Sequence, residues 1–158
     1  MKTLTSIVFA ATMLSAASAL AAGGGGNSTP AAPEDPVIEK SRAAIESRNW
    51  MQAQEIVREG LAKNPANADY HNLYAYSMRM GANPQMDLVF RHYNEALRID
   101  PKHRAAHEYL GEAYLMTGNF AKAKEQLKVL DDLCFFACSE FTLLKKAIAD
   151  YEAKQAPK

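Results

Sequence analysis

Residues 104–135 read RAAHEYLGEAYLMTGNFAKAKEQLKVLDDLCF, and the fold turns on how that stretch is parsed. Ala106, Leu110, Ala113 and Tyr114 recur at three- and four-residue steps, the spacing that gathers side chains on one face of an α-helix. Phe120, Ala123, Leu127, Leu130 and Cys134 do the same. Between the two sets Gly118-Asn119 interrupts the pattern, as a turn between helices requires. The stretch therefore predicts a helical hairpin, with Gly111 a point where the opposing helix can come close because no side chain stands in the way.

A single hairpin cannot cover its own apolar face, so its neighbours should repeat it. Val89-x3-Tyr93 followed by Pro101 lies 34 residues before Ala123-x3-Leu127 and Phe135, and Ala53-x3-Val57 followed by Pro65 lies 36 residues earlier again. Among the first helices, Tyr74-Ala75 stands where Leu110-Gly111 does, and Ser41 and Ala44 hold the small positions upstream. Leu110-Gly111-x2-Tyr114 followed by Ala123-x3-Leu127 resembles the tetratricopeptide (TPR) repeat, a helical hairpin that uses this order of small and bulky residues. The resemblance covers about three repeats, 34–67, 68–103 and 104–137. It implies an all-α, right-handed solenoid over residues 37–154. Two departures stand out: a two-residue excess around Asn83-Pro84, read as a longer turn, and Cys134-Phe135 where the earlier repeats have Asn64-Pro65 and Asp100-Pro101. Beyond Cys138, Ser139 can cap a last helix over 139–154 whose stripe of Phe141, Leu144, Ile148 and Tyr151 closes the array, while Lys145, Lys146, Asp150 and Glu152 face water.

The stretch before the repeats reads differently. Residues 1–21 combine Lys2, an Ala-rich apolar run and Ala19-Leu20-Ala21, the pattern of a secretory signal cleaved after Ala21. An uncleaved membrane anchor is disfavoured because the run is short and thinned by Ser and Thr. The expectation is an exported protein, periplasmic or secreted, without membrane insertion after cleavage. Residues 22–36, AGGGGNSTPAAPEDP, have little to bury and read as a flexible tether. Lys and Arg number 18 and Asp and Glu 18, with no basic cluster, which argues against nucleic acid as a partner.

Chemistry-bearing residues are few. Cys134 and Cys138 are the two cysteines, and four residues of helix put their Cα atoms about 6 Å apart, within bridging distance. In an exported chain the first reading is a disulfide. A redox-active couple rimmed by Phe135 and Phe136 is a second, and a copper or zinc site of His103, His107, Cys134 and Cys138 a third. His107 and His71 fall where the TPR pattern places packing residues, so a packing role competes with the metal one. Glu108 and Glu112, one turn apart, read as a solvated pair, and no phosphate loop, zinc-protease motif or nucleophile elbow occurs; no catalysis and no cofactor are expected.

The TPR resemblance further implies that the first helix of each repeat lines a concave groove that holds a peptide or helix of another protein. Carried onto this chain, that face comprises Arg42, Ile45 and Glu46, then Asp69, Asn72, Tyr76, Arg79 and Met80, then Glu108, Glu112, Leu115 and Met116. Glu108 and Glu112 stand where a carboxylate-binding version needs cations, which disfavours an acidic peptide. The expectation is a protein-binding adaptor of the cell envelope, with metal or thiol handling by Cys134 and Cys138 as the alternative. Whether copies associate into a homo-oligomer stays open.

Overall fold

The computed structural model describes residues 35–136 and 138–155. The expected signal segment and nearly all of the tether lie outside them. Seven helices run through the described residues, with no strand among them: α1 (Pro36–Glu46), α2 (Trp50–Lys63), α3 (Ala68–Met80), α4 (Met86–Ile99), α5 (Arg104–Met116), α6 (Phe120–Leu133) and α7 (Ser139–Gln155). No helix among these residues is long and apolar enough to cross a membrane.

Five of the seven helices begin where the sequence supplies a side-chain acceptor for their orphan N–H groups; α4, after Gln85, does not. Asp35, Asn49, Asn67 and Asn119 cap α1, α2, α3 and α6 through their side-chain oxygens, and His103 caps α5 through Nδ1. Ser139 is not the cap of α7: it is the first helical residue, its hydroxyl donates to Glu140, and the Cys138 carbonyl accepts from Thr142 instead. The turns repeat as well. Gly118 adopts φ 74°, and Arg48, also immediately before a capping Asn, adopts φ 55°, so the first hairpin asks of an arginine the left-handed backbone that glycine supplies in the third. The second hairpin uses its two extra residues to turn without any positive φ.

The hairpins α1–α2, α3–α4 and α5–α6 stack in chain order, and α7 lies against α5 and α6 as the first helix of a following repeat would. Three apolar clusters result. Ile38, Val57, Tyr70 and Leu73 join α1 to α3; Ala75, Val89, Tyr93, Leu110 and Ala113 join α3 to α5; Ala123, Leu130, Leu144 and Ile148 join α6 to α7. Fully burying one side chain such as Leu144 stabilises the fold by about 2 kcal/mol. Gly111 is a point of close approach, but to the closing helix and not to its hairpin partner: a Cβ there would lie 2.6 Å from a Leu144 methyl.

The stop after each second helix also recurs. Asn64, Asp100 and Cys134 end α2, α4 and α6 in extended-side conformations, each donating its N–H back to Gly60, Ala96 and Leu130. Pro65 and Pro101 follow the first two. At the third stop, which has no proline, a disulfide joins Cys134 to Cys138 across Cα atoms 5.8 Å apart.

Candidate functional site

α1, α3 and α5 carry the face on which the sequence places a groove. On α1, Arg42 and Glu46 are exposed and Ile45 half-buried. Asp69 opens α3 with its carboxylate half exposed, 3.2 Å from His103 Nε2, which holds its pKa below the usual carboxylate range. Tyr76, Glu112 and Leu115 are half-buried, whereas Met80 and Met116, at equivalent positions of α3 and α5, are 40% and 54% exposed. Three of the expected groove residues are instead inside the protein: Asn72, Arg79 and Glu108.

Arg79 ties three helices together. Its Nη2 donates to Glu112 Oε2 at 2.7 Å, its Nε to the Tyr93 hydroxyl at 3.3 Å and its Nη1 to Met116 Sδ at 3.7 Å. The guanidinium also lies over the Tyr76 and Tyr109 rings, 5.4 and 5.7 Å from their centroids. A buried cation is tolerated only when its donors are answered, and here α3, α4 and α5 answer them together. The signal was present in the sequence: 36 residues on, the same position is Leu115, so this is a packing site occupied by an arginine. What remains outward of Arg79 is an apolar strip of Tyr76, Leu115 and the two methionines.

Glu108 overturns the reading of a solvated carboxylate pair. It is 5% exposed, and its pKa is raised to about 7, first by burial and then by Glu112 and Glu140, against the pull of Arg79. α7 brings Glu140 over the start of α5, where Arg104 reaches it at 3.7 Å. No described group hydrogen-bonds the Glu108 carboxyl. Asn72, at the equivalent place one repeat earlier, is 4% exposed and its Oδ1 also lacks a donor.

The four-residue metal set does not assemble. Cys134 and Cys138 are bonded to each other, and no described group of three His, Cys, Asp or Glu residues is placed to hold an ion. His107 bridges the Pro101 carbonyl (Nε2, 3.0 Å) and the Gln126 side-chain amide (Nδ1, 2.7 Å). His71 repeats the device 36 residues earlier, its Nε2–H donating to the Pro65 carbonyl at 2.9 Å. Its Nδ1 pairs with His92 Nδ1 at 2.8 Å. The packing role is thus more specific than apolar filling: each histidine fastens its helix to the preceding Pro stop. Phe135 and Phe136 stand almost fully exposed at the tip of the disulfide ring.

The tetratricopeptide-repeat family model matches residues 86–132. No curated protein matches the chain in sequence. Among solved structures, the TPR domain of Arabidopsis OM64 superposes with a TM-score of 0.64 at 20% identity, covering 73% of this chain and 93% of that one. The Yersinia enterocolitica type III secretion chaperone SycD, in complex with a peptide of the translocator YopD, gives 0.63 at 15% identity over 76% and 92%. The TPR2B domain of yeast Sti1, in its pHsp70 complex, gives 0.65 at 15% identity over 75% and 95%. The family's repeat is thus matched in α4–α6, and the helix stack as a whole shares the fold of TPR domains.

Proposed function

We propose that this chain is a non-catalytic adaptor of the cell envelope that holds a peptide or helix of another protein against the inner face of α3 and α5. One observation carries the reading. Met80 and Met116 are exposed at matching positions of successive repeats, beside half-buried Tyr76 and Leu115, and the described residues leave this strip uncovered. Methionine adapts its shape to a partner, and a recurrent apolar strip on a protein surface is a contact surface waiting for its ligand. The SycD structure with its YopD peptide and the Sti1 domain in its pHsp70 complex support a peptide-holding role for such a stack. The envelope location rests on the signal-like pattern of residues 1–21.

A photo-crosslinking residue replacing Met116 in the full chain, expressed in its own cells, tests the contact. A discrete adduct that disappears on Met80→Glu is expected. The same adduct from a crosslinker at Lys124, on the outer helix α6, or none at either position, would refute the groove. Mass spectrometry of the purified protein checks the location: the expected chain begins at Ala22, and an intact N-terminus would refute export.

A further inference from the structure

The closed end of this face lacks a donor that the chain does not supply. One turn beyond Glu112 stands Met116, and exposure rises along α5 from 5% at Glu108, through 29% for the Glu112 side chain, to 54% at Met116. Glu108 therefore sits at the inner end of a face that opens to solvent. The charges around it come from three helices: Glu112, Tyr109 and Arg104 on α5, Arg79 on α3 and Glu140 on α7. Arg79 is committed to Glu112 at 2.7 Å, and Arg104 faces Glu140 at 3.7 Å. Three carboxyl groups thus share two guanidinium groups, and the one left over is the most buried of the three.

Asn72 points the same way. At the equivalent place on α3, its Oδ1 is buried without a donor. Both groups are acceptors. Asn72 Oδ1 is the described buried side-chain atom that forfeits its hydration and gains no partner, and Glu108 is the carboxyl of its cluster with no cation of its own; a ligand that donates hydrogen bonds and carries positive charge answers both.

We propose that Glu108, with Glu112 and Glu140, forms a subsite for a lysine or arginine side chain of the bound segment, whose alkyl stem lies along the Met116 side of the strip. This rests on the peptide-holding reading above and specifies the chemistry of its ligand. An incoming cation supplies the donors and neutralises the unshared carboxylate. It competes with a proton, because the Glu108 carboxyl is raised to about 7 by burial and by its two acidic neighbours. Binding then strengthens with pH through neutrality. A site whose competent, ionised form falls from most of the population at pH 8 to a few per cent at pH 5.5 loses affinity by about tenfold or more.

Panning random dodecapeptides displayed on phage at pH 8 against the full chain tests this. Selected peptides are expected to fix a Lys or Arg at one position. A synthetic copy should bind about tenfold more weakly at pH 5.5, and norleucine in place of its lysine should remove both the affinity and the pH dependence. Glu108→Gln should do the same while remaining folded, as judged by circular dichroism. Peptides without a fixed basic position, or affinity indifferent to Glu108→Gln, would overturn the subsite and leave the adaptor reading standing. A chain that selects no peptide would overturn the adaptor reading and the subsite with it.

Discussion

Replacing Glu108 by glutamine should stabilise the protein, and should do so only above mildly acidic pH. The glutamine keeps the shape and removes the charge. In the folded protein the Glu108 carboxyl titrates at about 7, against an ordinary value of 4.5. Between these values the folded state holds a proton that the unfolded chain has released, so stability falls as pH rises through the window. A difference of about 2.5 units at 1.36 kcal/mol per unit is about 3 kcal/mol, fully lost above pH 7. His92 works in the opposite sense. Burial, His71 and Arg91 lower its pKa from 6.5 to about 4, so the unfolded chain binds the extra proton and stability rises with pH across 4 to 6.5. The two windows nearly coincide and nearly cancel, and the native protein should show little change in stability between pH 4.5 and 6.5. Urea unfolding followed at 222 nm, at pH 4.5, 6, 7 and 8, measures this. Glu108→Gln should match the native protein at pH 4.5 and exceed it by about 2–3 kcal/mol at pH 8, with unchanged m-value. A gap that does not grow with pH, or a variant weaker at pH 8, would refute the account of Glu108 as a buried, unsatisfied carboxyl.

Three further outcomes follow from the packing. Gly111→Ala places a methyl within 2.6 Å of Leu144 in a fully buried site and should destabilise by about 1–3 kcal/mol despite its better helix propensity. Leu144→Ala should cost less in that variant than in the native chain, as urea unfolding of the double-mutant cycle would measure, and strict additivity would refute the clash. Arg48→Gly relieves a non-glycine residue at φ 55° and should raise the stability measured by urea unfolding by up to about 1 kcal/mol, where a fall would show that the arginine side chain matters more than its backbone. Cys134→Ser with Cys138→Ser removes a cross-link over a five-residue loop and should cost about 2 kcal/mol, equal to the effect of reductant on the native protein; reductant that further weakens the double variant would contradict this.

The repeat could be read from the sequence because it is written locally. Helix faces show in three- and four-residue steps, stops in Asn-Pro and Asp-Pro, turns in Gly-Asn, and each of these lies within a few residues of what it controls. The described residues accordingly hold seven helices and no strand, the last over Ser139–Gln155 where the sequence placed it at 139–154. What was not legible depends on partners far along the chain. The raised pKa of Glu108 is set partly by the charge of Glu140 on α7, and the need for Gly111 by Leu144 on the same helix. Arg79 reads as a surface residue until its alignment with Leu115 is taken seriously. The paired cysteines suggested a bridge first and a metal set with His103 and His107 second, and the bond between them, with His107 held against Pro101 and Gln126, separates the two.

The junctions between hairpins differ in kind. After α2 and α4 the chain is turned aside by a proline ring, a constraint that holds in any surroundings. After α6 the same bend is fastened by two sulfur atoms, and that fastening exists only where the medium is oxidising. The first two joints are thus indifferent to where the protein finds itself, while the third, which seats the closing helix, is tight in one compartment and slack in another.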